Sequence, residues 1–257
     1  MSVAPRPVVR RTVLLVGLGN YTHPATRHSI GQYVLRPLMR AAIAHDRALR
    51  EQLASRTFHG PTYAVPPAAE PCEFSSVRAA RGWVASVSVL IDTLPPKGTV
   101  RRHAPEHYPF VHADVLLYIP KYLMNQNGYG VAAACDALGS VRVPDDVLLV
   151  HDELARAFGK VSYKAEGSAG GHNGVRSVQA MLRARGVAGD VARMRLGIGR
   201  PADGADVGAF VLGAMPPTWL AACAYPPEAP ADGAPGVPLI DTLWKEVARW
   251  IAAPCIP

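Results

Sequence analysis

The chain has 257 residues, 49% of them hydrophobic and 18% charged, and its 27 lysines and arginines exceed its 20 acids to give a net charge of +7. This composition excludes a disordered or fibrous protein, and no apolar run approaches the roughly 20 residues that a membrane helix needs. The chain can therefore form one sizeable hydrophobic core, and its basic surface suits a polyanionic partner such as nucleic acid.

The first half of the chain predicts a buried strand, a long helix and two further strands. Residues 12–19, TVLLVGLG, are almost wholly apolar and end in glycine, which is typical of a buried strand. Residues 28–54 have helical periodicity, although Pro37 should kink this helix or delay its start. Residues 57–65 and 83–91 alternate between apolar and polar side chains in the manner of strands.

The second half continues the alternation of strands and helices. Strands are predicted over residues 115–119, 147–150, 160–164 and 193–199. A helix follows the first of these strands, another follows the glycine-rich stretch 166–174, and an amphipathic helix covers residues 239–251. This order predicts an α/β fold, namely a single-domain three-layer α/β/α sandwich with a mixed, mostly parallel central sheet.

Two stretches resemble insertions into this core, near residues 65–112 and 215–238. Surface insertions of this kind cost little stability. We therefore expect an N-terminal extension over residues 1–11, followed by one domain over residues 12–257. Loops are predicted at residues 66–76, 93–112 and 215–238.

Polar residues cluster directly after four of the predicted strands. In an open α/β sheet the loops that leave the carboxyl ends of the strands converge on one crevice. We therefore expect these clusters to form one site. They are Asn20 with His28, Met124 with Asn125, His151 with Asp152 and Glu153, and the run from Gly170 to Gly174.

Two kinds of site fit this set of residues poorly. Gly17 and Gly19 begin like a dinucleotide-binding GxGxxG motif, but Thr22 replaces the third glycine and no acid follows at the required distance. The histidines and acids at the strand ends have no recognisable metal-ligand spacing, and the four separate cysteines include no CxxC pair. We therefore expect neither a cofactor nor a metal.

A metal-free hydrolase is the remaining interpretation. Such an enzyme needs a base, a group that orients the base, and donors for the developing oxyanion. A histidine near Asp152 supplies the first two, and the amides of Asn20, Asn125 and Asn173 can bind an oxyanion or a peptide backbone. No serine lies in a GxSxG motif, so the expected nucleophile is water.

Seven segments together resemble the bacterial-type peptidyl-tRNA hydrolase family and occur in the order found in that family. Single strings such as GLGN are common, whereas GSAGGHNG and the ordered set are highly specific. The segments are LLVGLGN (14–20), TRH (26–28), IPKYLMNQNG (119–128), HDEL (151–154), GSAGGHNG (167–174), MRLGIGRP (194–201) and FVLG (210–213).

The resemblance implies cleavage of the ester between a peptide and the 3′-terminal ribose of tRNA. His28 matches the family's catalytic histidine, which would take a proton from the attacking water. Asp152 would orient and polarise His28, and Asn20 would hold the histidine or the ester. His151 and Glu153 are left with structural roles.

The resemblance also implies how the substrate is bound. Met124, Asn125 and Asn173 would line the peptide channel, and His172 would help to shape it. Lys164 and Arg195, with Lys160 as a weaker candidate, would lie near the phosphates of the acceptor stem. Considered alone, Met124 would be assigned to core packing, Asn20 and Asn173 to turns, and the two lysines to a solvated strand face.

The chain departs from the family pattern at the mouth of the site. Ser29 replaces the usual asparagine after the base, and the loop over residues 20–28 is about two residues shorter than usual. We expect a monomer that is cytoplasmic, or mitochondrial if the protein is eukaryotic. A non-catalytic RNA-binding paralogue and a different ester or amide hydrolase on a similar scaffold remain alternatives.

Overall fold

The computed structural model describes residues 6–55, 65–95, 98–227 and 239–256, and these residues contain a seven-stranded sheet. The order of the strands in the sheet is β2-β3-β4-β1-β5-β7-β6. The strands are β1 (Val8–Gly17), β2 (Cys72–Val77), β3 (Gly82–Asp92), β4 (Phe110–Pro120), β5 (Val147–Glu153), β6 (Val161–Lys164) and β7 (Ala192–Gly197).

The sheet is mixed, as predicted. Its four central strands β4, β1, β5 and β7 are parallel neighbours, whereas β3 pairs antiparallel with β4 and β6 pairs antiparallel with β7. The edge strand β2 is antiparallel to β3. Parallel strands direct their carboxyl ends to one edge of the sheet, which is where β1, β4 and β5 place the polar loops.

Helices cover both faces of the sheet. Alternate residues of β1 separate into two cores, because Val13 and Leu15 pack with the helices over residues 35–55 and 239–252, whereas Leu14 and Val16 pack with the helices over residues 127–138 and 173–184. This arrangement agrees with the predicted three layers. The helices are α1 (Ile30–Tyr33), α2 (Leu35–Ser55), α3 (Asn127–Leu138), α4 (Asn173–Ala184), α5 (Val207–Leu212), α6 (Pro217–Ala222) and α7 (Leu239–Ala252).

The long helix starts later than residue 28, as the proline indicated. A 3-10 turn over Arg27–Ser29 and the single turn α1 come first, and α2 begins at Leu35. Pro37 then lies in the first turn of α2, where a backbone N–H would have no partner within the helix.

Several predicted boundaries are wrong. The first strand begins at Val8, so residues 8–11, assigned above to an N-terminal extension, pair with residues 110–113 of β4. β4 begins five residues earlier than the predicted strand at 115, and β2 occupies part of the loop predicted over residues 66–76. The stretch treated as a first insertion thus supplies β2, β3 and the start of β4.

The second predicted insertion also contains regular structure, because α6 lies within it. Residues 228–238 of that stretch, and residues 57–64 of the strand predicted at 57–65, lie outside the described residues. In the part of the chain that the structure describes, no helix combines the length and the apolar character that a bilayer crossing requires.

Candidate active site

Close backbone packing brings the predicted catalytic residues together at the carboxyl ends of β1 and β5. A Cβ on Gly31 would lie 2.1 Å from the carbonyl oxygen of Val150, and one on Gly17 would lie 2.4 Å from the carbonyl oxygen of Gly31. Only glycine permits this approach. The turn that carries His28 is therefore held against the end of β5, where Asp152 lies.

A single carboxylate binds two imidazoles. Nδ1 of His28 lies 2.9 and 3.0 Å from the two carboxylate oxygens of Asp152, and Nε2 of His172 lies 2.9 Å from Oδ1 of the same group. The two rings are 4.9 Å apart between centroids. The structure thus brings together three of the predicted residues, although His172 lies 20 positions and His28 lies 124 positions from Asp152 in the chain.

The hydrogen bonds define which nitrogens carry protons. Nδ1 of His172 accepts from the backbone N–H of Val175 at 3.3 Å, so its Nε2 is the donor to Asp152. His28 donates from Nδ1, because a carboxylate can only accept. No described residue forms a hydrogen bond with Nε2 of His28, and the side chain of His28 is 12% exposed. A neutral His28 therefore presents an accessible lone pair.

Asp152 is ionised in this arrangement. Burial raises the pKa of its carboxyl, but the electrostatic interaction and hydrogen bond with His172, followed by those with His28, outweigh burial and hold the pKa well below its usual value. A negative charge therefore lies within hydrogen-bond distance of both rings. The group can thus support an imidazolium during a reaction.

His151 lies beneath this group and is only 3% exposed. Its Nδ1 bonds to the backbone carbonyl of Asp152 at 2.7 Å, and its ring contacts that of His172 edge-on at 4.5 Å. Burial, followed by the electrostatic interaction with His172, lowers the pKa of His151 well below its usual value. His151 is consequently a neutral packing residue, in line with the structural role expected.

Asn20 connects the loop after β1 to the turn after β4. Its Oδ1 accepts from the backbone N–H of Met124 at 2.7 Å, and its own N–H donates to Oγ of Ser29 at 3.0 Å. Ser29 is fully buried and also accepts from Thr26. The serine that departs from the family pattern thus ties the loop to the turn of His28.

The residues predicted to line a peptide channel differ in exposure. Met124 is buried, and a Cβ on Gly174 would lie 2.3 Å from its Sδ, so the methionine packs directly on the start of α4. Asn125 and Asn173 are exposed, and neither side chain has a hydrogen-bond partner among the described residues. Their amides are available to a ligand.

Asn127 was not singled out from the sequence. It is fully buried, accepts from the N–H of Gly19 at 3.0 Å and donates to the carbonyl oxygens of Gly19 and Leu123. These bonds fix the loop after β1 against the start of α3. The repeated asparagines in the string MNQNG were the only available signal, and they do not distinguish a binding amide from a structural one.

The predicted phosphate-binding residues lie on β6, on β7 and directly before β6, and Arg195 is the partner of His151 in the pairing of β5 with β7. Lys164 is half-buried beside Gly167 and has no ion-pair partner among the described residues. Arg195 is partly neutralised by Glu153 at 3.4 Å, and Lys160 is exposed. Arg193, which the sequence did not single out, is buried and donates to the carbonyl oxygens of Glu166, Gly167 and Ser168 in the glycine-rich loop.

A second connection holds the turn of His28 from the side of α5 and α6. Arg27 donates from its backbone to Gly213 at 3.0 Å and from Nη1 to the carbonyl oxygen of Phe210 at 3.1 Å. Its guanidinium lies 4.6 Å from the ring centroid of Phe210 and 5.6 Å from that of Trp219. We call Arg27, Phe210, Gly213 and Trp219 the arginine clamp.

His28, Asp152 and His172 also have ligand atoms close enough to hold a metal ion, within 4.8 Å of one another. The ring nitrogens that face Asp152 carry the protons of its two hydrogen bonds, however. Both protons would have to leave before those nitrogens could bind a cation. The donor pattern therefore suits a hydrogen-bonded relay better than a metal centre.

Comparison with known proteins identifies the family. The family model described as peptidyl-tRNA hydrolase matches residues 95–224. A probable peptidyl-tRNA hydrolase of Mus musculus is 32% identical over 205 residues, which cover 79% of this chain and 74% of the mouse protein. The peptidyl-tRNA hydrolase of Syntrophotalea carbinolica is 38% identical over 100 residues, covering 39% of this chain and 49% of the bacterial one. The chain thus spans about half the length of several bacterial relatives that it matches.

Solved structures agree on the fold. A crystal structure of a peptidyl-tRNA hydrolase with N-propanol has a TM-score of 0.55 at 22% identity, covering 95% of this chain and 90% of the other. A mutant peptidyl-tRNA hydrolase from Acinetobacter baumannii has a TM-score of 0.52 at 19% identity, covering 99% and 93%. With the family model and the mouse relative, these matches support one conclusion: the chain belongs to the peptidyl-tRNA hydrolase family.

Proposed function

We propose that this protein hydrolyses peptidyl-tRNA, cleaving the ester between the peptide and the 3′-terminal ribose by a metal-free reaction. The observation that carries the proposal is the orientation of His28, whose Nδ1 donates to Asp152 while its Nε2 is unbonded among the described residues. A neutral imidazole in this state is a suitable general base near pH 7.

The reaction proceeds by addition and elimination. Nε2 of His28 takes a proton from water as the water oxygen bonds to the acyl carbon. The carbon–oxygen bond to the ribose then breaks, and the ribose oxygen receives the proton from His28. Asp152 stabilises the imidazolium that forms in between, through the 2.9 Å hydrogen bond to Nδ1. No cofactor takes part in any step.

The remaining residues bind the substrate. The amide nitrogen of Asn20 is the donor to the ester or its oxyanion, since Oδ1 is already used by Met124. Met124 lines the peptide channel, the exposed amides of Asn125 and Asn173 bind the peptide backbone, and His172 shapes the channel. Reading only the backbone makes the enzyme tolerant of peptide sequence, because asparagine amides recognise carbonyl and N–H groups that every peptide has.

The partner is the acceptor stem and CCA end of tRNA. Lys164 and Arg195, with a smaller contribution from Lys160, bind the acceptor-stem phosphates, which position the RNA without specifying its sequence. The protein acts as a monomer in the cytoplasm, or in the mitochondrion if it is eukaryotic. A non-catalytic RNA-binding paralogue remains the alternative, and turnover distinguishes the two.

The decisive experiment compares His28→Ala with His23→Ala. Both histidines follow β1, but His23 is exposed and its side chain bonds only to Thr22 among the described residues. We expect His28→Ala to lower turnover of N-acylated aminoacyl-tRNA by roughly two to four orders of magnitude, the range for a general base. Turnover by the wild type in the presence of a chelator should be unchanged.

The matched control, His23→Ala, should retain turnover close to that of the wild type. Equal turnover by the two variants would reject His28 as the base. Absence of turnover in the wild type, combined with retained tRNA binding, would favour the non-catalytic paralogue.

A further inference from the structure

A cavity of about 840 Å³ lies beside the candidate active site and shares none of its predicted catalytic or peptide-binding residues. The loop after β1 forms one wall through Tyr21 and Pro24, and α2 forms another through Arg36 and Arg40. Trp83 of β3 and the segment that follows α6 complete the lining. A volume of this size falls within the range of small-molecule sites, roughly 300 to 1,000 Å³.

The cavity carries uncompensated positive charge. Arg36 and Arg40 are one helical turn apart on the same face of α2, and both are exposed. In the described part of the chain neither has an ion pair, and the residues that line the cavity include no acid. Two arginines placed close together repel each other, so an anionic ligand between them would be favoured.

The arginine at the rim is held in place before any ligand arrives. The guanidinium of Arg36 lies 4.7 Å from the ring centroid of Phe74 on the edge strand β2. A further cation, Nζ of Lys121, lies 5.6 Å from the ring centroid of Trp83. Arg36 and Lys121 thus each lie over an aromatic ring, and Arg36 loses less side-chain entropy when a ligand binds.

The aromatic lining offers flat surfaces. Trp83 is half-buried, Tyr21 is 38% exposed, and Tyr225 follows α6. Aromatic rings that alternate with arginines are the combination that binds unpaired nucleotides, because bases stack on the rings and the arginines pair with phosphates. An acidic peptide would use the arginines but would not need the rings.

We propose that this cavity binds nucleotides, with a base against Trp83 and a phosphate between Arg36 and Arg40. The favoured source is the unpaired 3′ end of the RNA substrate, because the loop from Asn20 to His28 borders both the cavity and the catalytic group. That assignment of the source rests on the proposed function. A free mononucleotide has the same chemistry and is the other source.

The test measures binding without catalysis. A fluorescently labelled CCA trinucleotide and cytidine monophosphate are titrated against the full chain, with anisotropy and competition as the readouts. We expect the double variant Arg36→Ala/Arg40→Ala to weaken trinucleotide binding by at least tenfold, and to flatten its log–log salt dependence by about 0.7 per lost phosphate contact. Arg47→Ala, an exposed arginine on α2 outside the cavity, is the matched control and should change neither quantity.

A second pair of variants tests whether the nucleotide base stacks on Trp83. Trp83→Leu should weaken binding by about 5- to 150-fold, the range for the loss of one stacked base. Trp83→Phe should preserve most of the affinity, but it should abolish the quenching of indole fluorescence by the trinucleotide. Circular dichroism and melting temperatures establish that each variant is folded.

The outcomes separate the two sources and the two proposals. A higher KM for peptidyl-tRNA in the arginine double variant, at unchanged kcat, assigns the cavity to the RNA end, whereas an unchanged KM with weaker mononucleotide binding assigns it to a free nucleotide. Binding that none of the arginine and tryptophan changes weakens would overturn the proposal. Loss of hydrolysis with retained cavity binding would contradict the proposed function and leave the nucleotide site intact.

Discussion

At the scale of the residue, Asp152 determines the state of both neighbouring histidines. It accepts a hydrogen bond from Nδ1 of His28 and another from Nε2 of His172, and it is 4% exposed. The sequence predicted the pair of His28 with Asp152, but not that His172 would share the same oxygen. The shared carboxylate leaves His28 with its free nitrogen directed away from Asp152, and it leaves His172 bonded at both ring nitrogens.

The same carboxylate makes stability depend on pH. Its pKa is lower in the folded protein than in the unfolded chain, so the unfolded chain binds more protons in the interval between the two pKa values. The stabilisation is therefore fully present above the ordinary aspartate pKa of about 3.9 and is lost as the pH falls below it. We expect the melting temperature of the wild type to exceed that of Asp152→Asn at about pH 5, and this difference should shrink as the pH falls below about pH 4.

Melting curves of both proteins from pH 2 to pH 7 test this expectation. Asp203→Asn, which removes an exposed carboxylate near α5, is the control for a simple change of surface charge. A difference between wild type and Asp152→Asn that stays constant, or grows, as the pH falls from about 4 to about 2 would contradict the low pKa of Asp152.

At the scale of the element, α5 and α6 hold the turn that carries the proposed base. The backbone of residues 25–27 bonds to residues 213–215, through Arg27 to Gly213 and Met215 to Ala25. A Cβ on Gly213 would lie 2.5 Å from Nη1 of Arg27, so a side chain at this position would displace the guanidinium. Trp219 is itself stacked on Phe158, with ring centroids 4.1 Å apart and planes 6° from parallel. The helix within the second predicted insertion thus supports the arginine clamp.

Weakening this clamp should affect catalysis more than binding. Trp219→Leu removes one ring from the guanidinium of Arg27 without touching Asp152 or the asparagines. We expect kcat to fall about 10- to 100-fold with little change in KM, because a displacement of about 1 Å at a reacting group can cost that much. Steady-state kinetics with N-acylated aminoacyl-tRNA provides the measurement.

Trp250→Leu is the matched control for the clamp. Trp250 is 8% exposed on α7 and packs in the same core as α2, but it contacts Arg11 rather than Arg27. Both variants should lower the melting temperature, whereas only Trp219→Leu should lower kcat strongly. An equal loss of kcat in the two variants would mean that the clamp acts through general stability.

The elements that could be predicted from the sequence are those with a strong local pattern. The apolar runs of β1 and β5 and the stripes of α4 and α7 are each visible within a short window, and the structure confirms them. β2 could not be predicted in this way, because it is an edge strand whose residues are mostly exposed and do not alternate. The early starts of β1 and β4 depend on their pairing with each other across about 100 residues, which no local pattern records.

The site was predictable to the extent that chain topology brings strand ends together. His28 contacts Asp152 at the converging strand ends, and Asn20 bonds to the backbone of Met124, whereas the bond of His172 to Asp152 was not predicted. The buried bonds of Asn127 and Arg193 to loop carbonyls were not predictable, because they depend on side-chain orientation rather than on order in the chain. The same limit applies to the arginine clamp.

At the scale of the whole molecule, the arginines and lysines differ in how far other groups of the protein already bind them, and therefore in how readily they can bind RNA. Many arginines are already engaged within the fold: Arg6 with Asp92, Arg11 with Asp146, and Arg193 with the glycine-rich loop. Arg195 is partly engaged with Glu153, whereas Lys164 has no carboxylate partner among the described residues. The net charge of +7 is therefore a poor guide, and the individual unpaired cations indicate where phosphates can bind.

Lys164→Ala should consequently weaken tRNA binding more than a lysine change elsewhere. An unpaired lysine that contacts a phosphate releases counterions, so its loss should flatten the log–log dependence of affinity on salt by about 0.7 to 0.9. Lys245→Ala, an exposed lysine on α7, is the matched control and should leave the slope unchanged. Filter binding of tRNA between low and physiological salt measures both slopes. An unchanged slope for Lys164→Ala would remove this lysine from the phosphate site, whereas a flatter slope with kcat preserved at saturating tRNA would separate binding of the acceptor stem from the chemistry at His28.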